Sequence, residues 1–188
     1  YFDYNKPTFS KHLWMYEGTT EYFANLFQVQ QGLISEDDFY VRMLGKINNA
    51  EFYDDNMSFT EMSKNILAQP YEPNYANVYE KGALINMCLD IILREKSNGE
   101  KSMLWLMKEL SKKYGTDVPF EDDALLGEIV SITYPEVDAF LKQHVIGDTP
   151  IDYEVYFEKV GLATNDVQES TGYFFDGQVP YIDIDIEN

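Results

Sequence analysis

The chain has 188 residues, of which 45% are hydrophobic and 15% aromatic, so it can bury one substantial core and is too apolar to be disordered. Its 33 acidic and 14 basic residues give a formal charge of −19, and a field of that sign repels phosphate backbones and anionic membranes. These features argue against nucleic acid as a partner. Insertion into a membrane is also not expected, because no apolar run approaches the roughly 20 residues that a spanning helix needs.

The first two predicted helices lie within the first fifty residues. Apolar residues recur at helical spacing over 10–31, and Gly32 follows where a left-handed cap would end the helix. Ser35 and Asp38 then resemble a capping box, which predicts a second helix that ends near Ile47.

A third helix and a buried central helix are predicted next. Ser58 followed by Glu61 indicates the start of the third helix, and two prolines after it mark a connecting loop. The segment 78–94 is apolar nearly all round, which is typical of a helix buried at the centre of a domain. Its exception is a stripe at steps of four, formed by Gly82, Asn86, Asp90 and Arg94.

The remaining pattern predicts short helices and then a strand. One helix follows the Asn98-Gly99 turn, acids at 121–123 favour the start of another, and Pro135 follows shortly as a further start signal. Residues 152–160 predict the last helix, while alternation of isoleucine with acids over 181–187 predicts a strand.

Cys88 stands alone inside an apolar stretch, so it cannot form an internal disulfide. We therefore expect a buried, unreactive thiol. The sequence starts at Tyr1 without a methionine, which we interpret as a piece of a longer protein whose targeting signals are missing.

Two interpretations fit the acids of the first predicted helix. Glu17 and Glu21 stand four residues apart on one face, and Asn25 and Gln28 continue the polar stripe. The stripe is typical of a solvated surface, since like charges at this spacing cost only about 0.2–0.5 kcal/mol. Alternatively, Glu17 is a metal ligand, because a carboxylate held on a rigid helix beside Trp14 suits that role.

Histidines that could complete such a metal site are scarce. A catalytic zinc needs three protein ligands and an open position, commonly two histidines of an H-E-x-x-H helix and a distant carboxylate. The chain has two histidines and no H-E-x-x-H segment. His12 is five residues from Glu17, which turns it away from the carboxylate, and we expect it on the surface at a helix N-terminus. We expect His144 to be a favourable charge near a helix C-terminus.

Residues 13–22 carry a resemblance to a known family. They read Leu-Trp-Met-Tyr-Glu-Gly-Thr-Thr-Glu-Tyr, which resembles the W-x-x-E-G-x-T-x-Y segment of the glycyl aminopeptidases and, more distantly, the N-E-G segment of the aminopeptidase and leukotriene hydrolase family. In both families the glutamate before the glycine is the third zinc ligand. The resemblance therefore implies that Glu17 binds zinc, and it makes Tyr22 and Glu21 candidate residues of the surrounding shell.

A second motif agrees with the first. Residues 79–83, Tyr-Glu-Lys-Gly-Ala, are similar to the Y-E-K-G segment of the same enzymes, where the tyrosine hydroxyl stabilises the tetrahedral intermediate. The resemblance thus implies that Tyr79 is the oxyanion donor and a catalytic residue. Without the first motif, a tyrosine at the start of a buried helix is typical of a core residue.

The resemblance covers roughly residues 1–165 and implies a fold, an activity and partners. The expected fold is mainly α, the helical half of a thermolysin-like metallopeptidase domain over 1–165, with 166–188 as a β-strand tail or the start of a following domain. The expected activity is zinc-dependent removal of N-terminal Gly or Ala from peptides by a bacterial enzyme, with export to the periplasm preferred for such a member.

The expected partners are a peptide substrate, the upstream part of the catalytic domain that carries H-E-x-x-H, and a PDZ-like domain. With those histidines outside the chain, we expect the 188 residues alone to hold no zinc at this site and to be inactive.

Other classes of protein remain open from the residues. A non-catalytic acidic helical module that contacts a basic partner is the alternative to the peptidase, with both motifs as structural remnants. A calcium module is disfavoured because no D-x-[DN]-x-[DN]-G loop occurs. Paired carboxylates of a glycoside hydrolase are possible by spacing, but nothing specific supports them.

Overall fold

The computed structural model describes residues 5–115, 117–163, 173–176 and 179–182. In chain order its α-helices are α1 (Thr19–Gln30), α2 (Glu36–Ala50), α3 (Phe59–Lys64), α4 (Glu80–Lys96), α5 (Met103–Ser111), α6 (Asp122–Ile132), α7 (Pro135–Phe140) and α8 (Glu154–Lys159). Two π-helical turns, at Trp14–Gly18 and Leu141–Ile146, directly precede α1 and follow α7, and a 3₁₀ helix spans Glu72–Val78. The predicted mainly helical fold class is confirmed.

Helix α4 forms the centre of the core. It contacts the first π-helical turn, α1, α2, α5, α7, α8 and the 3₁₀ helix. Five of its aliphatic side chains are completely buried, namely Ala83, Leu84, Ile85, Leu89 and Leu93. Cys88 is buried among them, as predicted, and burial raises the pKa of its thiol well above the usual range. Because α4 contacts so many elements, it positions them relative to one another.

Local signals placed most helix ends correctly. The Ser35 and Asp38 side chains form the complete capping box at the start of α2, which ends at Ala50, three residues beyond its predicted end. The Ser58 hydroxyl accepts a hydrogen bond from the Glu61 amide at the start of α3. Gly32 has a positive φ of 69°, as a left-handed cap requires.

The first helix starts later than predicted. Helical structure begins with the π-helical turn at Trp14, four residues after the predicted start at Ser10. The reason is a long-range contact: the Ser10 hydroxyl and the Lys11 amide both donate hydrogen bonds to the Asp122 carboxylate, at 2.6 and 2.9 Å. These bonds hold the segment against the start of α6 and away from the helix.

Two short strands lie near the C-terminus. Strand β1 (Tyr173–Asp176) pairs antiparallel with β2 (Val179–Ile182), with Tyr173 opposite Ile182. The strand predicted over 181–187 overlaps β2 at two residues, and its remainder lies outside the described residues. The division predicted at residue 165 also falls outside them, so it stays a prediction. None of the helices in the described residues combines the length and apolar character needed to cross a membrane.

Candidate active site

Glu17 lies in the π-helical turn that precedes α1. Turns of this kind are rare and occur frequently at functional sites. Its carboxylate is half-buried, and within 5–115 and 117–163 no lysine, arginine or histidine forms an ion pair with it. The turn is anchored by Trp14, whose indole is completely buried. The carboxylate is therefore held on a fixed element and remains available to a ligand.

Tyr79 lies between the 3₁₀ helix and α4, as the residue before the first turn of α4. Its side chain is half-buried, and its ring centroid is 6.4 Å from that of Tyr75. Burial raises the pKa of the Tyr79 hydroxyl, and the negative charge of Glu17 raises it further. The phenol therefore stays protonated over the physiological pH range and can donate a hydrogen bond.

The Glu17 and Tyr79 segments meet because two glycines let their backbones touch. Gly18 follows Glu17 directly, and Gly82 lies three residues after Tyr79. A methyl group placed on Gly18 would lie 2.7 Å from the Gly82 Cα and closer still to its carbonyl group. A methyl group on Gly82 would lie 3.0 Å from the Gly18 Cα. Only glycine permits this backbone contact, and it brings the Glu17 and Tyr79 segments together.

Hydrogen bonds between buried side chains continue the contact along both helices. Asn86 is completely buried: its amide nitrogen donates to the Trp14 carbonyl at 2.7 Å, and its amide oxygen accepts from the Thr19 hydroxyl at 2.7 Å. Further along, the buried Tyr22 hydroxyl donates to the Asp90 carboxylate at 3.0 Å. We call the line of contacts from Gly18–Gly82 through Thr19–Asn86 to Tyr22–Asp90 the seam. The polar stripe predicted on the central helix is therefore the face that binds the first helix.

Comparisons with known proteins agree with this geometry. The family model of M61 glycyl aminopeptidases matches residues 1–85, which include both Glu17 and Tyr79. In structure, the chain matches an aminopeptidase N family protein from Idiomarina loihiensis with a TM-score of 0.71 and 26% identity, over 84% of this chain. Both findings make this chain similar to aminopeptidases of the M61 and aminopeptidase N families. The chain spans 28% of the length of the Idiomarina protein, and no curated protein gave a significant match.

The remaining predicted site residues of this chain have structural partners. The Tyr22 hydroxyl is bonded within the seam, to an Asp90 carboxylate that also accepts from the Arg94 side chain at 2.9 Å. Glu21 forms an ion pair with Lys46 at 2.8 Å. No hydrogen bond from either side chain to Glu17 occurs in the part of the chain that the structure describes. A role for Tyr22 or Glu21 around the metal stays a prediction.

The position of His12 contradicts the prediction that this residue lies on the surface. It was expected on the surface, but it is buried, with 3% of its surface exposed. Its Nδ1 lies 3.3 Å from the Trp14 indole nitrogen, which can only donate, so Nδ1 accepts and Nε2 donates to the Asp122 carbonyl at 2.8 Å. Both ring nitrogens of the imidazole are thus hydrogen-bonded. The ring connects the Glu17 turn to α6, a role that residue spacing alone does not reveal.

His144 is also buried, in the second π-helical turn, and its Nδ1 lies 2.8 Å from the Thr149 carbonyl. Among the described residues, no three His, Cys, Asp or Glu side chains come close enough to hold a metal together. A catalytic zinc needs three protein ligands. Glu17 therefore fits zinc as one member of a ligand set, and the described residues do not form the complete set.

Two features of the site were missed by sequence reasoning. The close approach of Gly18 to Gly82 had a signal, since a glycine inside each of two helical motifs is typical of near backbone contact. The buried position of Lys46, beside Glu21 and 3.6 Å from Glu80, had none, because α2 appears in sequence as an ordinary surface helix.

Proposed function

We propose that this chain is the helical part of a zinc-dependent aminopeptidase, in which Glu17 is the third zinc ligand and Tyr79 is the oxyanion donor. The observation that carries the proposal is the Gly18–Gly82 backbone contact, which brings the Glu17 and Tyr79 segments together. The charge of Glu17 also raises the pKa of the Tyr79 hydroxyl. The match of the M61 glycyl aminopeptidase model to residues 1–85 supports the proposal independently.

Glu17 has the properties that a metal ligand needs. It is half-buried on a rigid turn, and no described cation neutralises its carboxylate. Zinc, when bound, would act as a Lewis acid on the scissile carbonyl and lower the pKa of a nearby water. Its other ligands would be two histidines of an H-E-x-x-H helix, a motif that the 188 residues do not contain.

Tyr79 supplies a hydrogen bond where negative charge develops. A phenol that stays protonated and is fixed by packing can aim its O–H at the carbonyl oxygen as the tetrahedral intermediate forms. Because the raised pKa keeps the proton on the hydroxyl, Tyr79 donates this bond and does not serve as a base. Stabilisation of this type is usually the largest electrostatic contribution to such a reaction.

The substrate we propose is a peptide with Gly or Ala at its N-terminus. An apolar cavity of about 740 Å³ opens beside the Glu17 turn, with the exposed Tyr16 at its rim and Met107, Leu110 and Phe120 among its lining residues. Met15 and Tyr16 of the Glu17 turn belong to its lining, so the cavity would offer a bound peptide an apolar surface next to that turn. This favours a peptidase over a purely acidic interaction module.

The test is the metal content of the full-length protein. Glu17→Ala should lower zinc affinity at least about tenfold, since one of three protein ligands is removed. Elemental analysis after dialysis against a weak chelator measures it. Glu36→Ala is the matched control, because it removes an exposed carboxylate from the first turn of α2. Equal zinc content in Glu17→Ala and wild type would contradict the proposal.

We also propose that the 188 residues alone do not cleave peptides, because a single carboxylate does not hold zinc tightly. An assay of the isolated chain with Gly- and Ala-initiated peptides and added zinc checks this. Zinc-dependent turnover that exceeds the rate of a Glu17→Ala chain would show that the proposed ligand set is wrong.

A further inference from the structure

Lys46 is a buried cation between two carboxylates from different helices. It lies in α2 with 8% of its surface exposed. Its Nζ is 2.8 Å from Glu21 Oε1 of α1 and 3.6 Å from Glu80 Oε2 of α4. Glu80 also accepts a bond from the Asn49 side chain, at 3.4 Å. The ammonium group therefore links three helices at one point.

The two carboxylates belong to the two motifs of the candidate site. Glu21 is four residues after Glu17, one helical turn along the same element, and Glu80 follows Tyr79 directly. The Gly18–Gly82 contact joins the same two segments through their backbones. The seam already joins the first helix to α4 through the hydrogen bonds of Asn86 and Asp90. Lys46 adds an ionic link between the same two segments, made from α2.

Helix α2 is itself held against α1. The Arg42 guanidinium donates to the Asn25 and Gln28 side-chain oxygens, each at 3.2 Å. Met43, between Arg42 and Lys46, is buried in the core with 2% exposure. Lys46 is therefore presented to both carboxylates by a helix that cannot easily move. The Lys46 ammonium is buried while the Glu21 side chain is 36% exposed, so solvent salt screens this pair in part.

We propose that Lys46 is a positioning residue, which keeps Glu17 and Tyr79 at their working separation by holding Glu21 and Glu80 together. The catalytic consequence of this inference rests on the proposed function. The link that Lys46 forms between Glu21 and Glu80 involves this chain alone. Lys46 contacts neither a reacting atom nor either of the two proposed catalytic side chains, so it acts through Glu21 and Glu80.

The first test is amide hydrogen exchange on the 188-residue chain. In Lys46→Met, which keeps the aliphatic stem and removes the charge, exchange over 17–22 and 79–83 should be about tenfold faster, with α5 unchanged. Lys46→Arg should restore protection. Lys96→Met is the matched control, because Lys96 pairs with Glu136 at 2.8 Å and connects the far end of α4 to α7.

The second test is kinetic and uses the full-length protein. Lys46→Met should lower kcat by about tenfold to a hundredfold, because a small misplacement of catalytic groups has that cost. KM and zinc content should stay near wild type, and Lys46→Arg should recover most of the rate. A residue that serves stability alone would not alter kcat at a temperature where the variant is folded.

The outcomes separate this inference from the proposed function. If wild type has no zinc-dependent peptidase activity, the proposed function fails, and exchange alone then decides whether Lys46 holds the two segments. Unchanged exchange over 17–22 and 79–83 overturns the inference whatever the activity, as does equal loss of protection in Lys96→Met. Should Lys46→Met not fold, Lys46→Met/Glu80→Gln removes one of the two carboxylates left without a cation and carries the same expectations.

Discussion

The Glu17 carboxylate and the Tyr79 hydroxyl lie in different electrostatic surroundings. Glu17 keeps an unpaired carboxylate among the described residues, although the chain as a whole carries 14 lysines and arginines. Tyr79 is kept protonated by burial and by Glu17 itself. A bound cation beside Glu17 would offset the charge that raises the pKa of Tyr79, so the two residues are electrostatically coupled.

At the residue scale, Tyr79→Phe in the full-length protein should lower kcat by about a hundredfold to a thousandfold, since one oxyanion donor is lost. Zinc content should not change, because the hydroxyl is not a ligand. Steady-state kinetics with a Gly-initiated peptide, together with elemental analysis, measure both quantities. Tyr71→Phe, another half-buried tyrosine packed on the core, is the control and should have wild-type kcat. Wild-type turnover in Tyr79→Phe would remove this residue from the site.

Residue roles were only partly predictable from sequence. Motif resemblance predicts the roles of Glu17 and Tyr79, and the structure brings their segments together, while the roles themselves stay predictions. It could not identify the environment of His12, because the Asp122 carbonyl that orients the imidazole lies 110 residues away in sequence. Lys46 was missed for the same reason, since its two carboxylates lie on other helices.

At the element scale, the seam decides how the first helix meets α4. Asn86 makes hydrogen bonds to both sides of the junction, and Asp90 accepts bonds from Tyr22, Arg94 and the Met103 amide. These groups are satisfied only when the two helices are in one register, because a shift along the axis would leave buried polar atoms unpaired. The seam therefore specifies the position of the Glu17 turn relative to Tyr79.

Gly18→Ala tests this contact. The added methyl group would meet the Gly82 backbone, which cannot move aside as a flexible side chain can. We expect a loss of about 1–3 kcal/mol in the free energy of unfolding, measured by urea denaturation of the chain. Gly127→Ala is the matched control: Gly127 is exposed inside α6 with no atom near the new methyl group, so it should gain about 0.5–1 kcal/mol. If Gly18→Ala were equally stabilising, the backbone contact would be wrong.

Elements were more predictable than their contacts. Capping residues and apolar periodicity are local, and they placed α2, α3 and the buried α4 correctly. The late start of the first helix and its π-helical turn depend on Asp122 and on the approach of Gly82, both far away in sequence. Contacts between residues so far apart in sequence cannot be predicted from a window of neighbouring residues.

At the scale of the whole molecule, buried tyrosine hydroxyls make the free energy of unfolding depend on pH in the alkaline range. Burial raises the pKa of the Tyr22 hydroxyl well above its usual range, with a further contribution from Asp90. Burial also raises the pKa values of Tyr153 and Tyr156. In the unfolded chain these phenols ionise near their ordinary pKa of about 10, while in the folded chain they keep their protons.

Stability should therefore fall as the pH rises through about 10. Above that pH the folded state binds more protons than the unfolded state, and the free energy of unfolding decreases by about 1.4 kcal/mol per pH unit for each such phenol. Urea denaturation between pH 8 and pH 11 measures the slope. Tyr22→Phe should reduce it by the contribution of one group. A slope that is flat up to pH 11, or unchanged in Tyr22→Phe, would show that Tyr22 is not buried in protonated form.

The most direct test of the account is a crystal structure of the full-length protein with zinc, recorded at wavelengths on both sides of the zinc absorption edge. The account predicts an anomalous peak at the Glu17 carboxylate, with two histidines from outside this chain as its other ligands and the Tyr79 hydroxyl facing the open coordination position. Zinc bound by a ligand set without Glu17, or a Tyr79 hydroxyl bonded elsewhere in the core with the metal present, would contradict it.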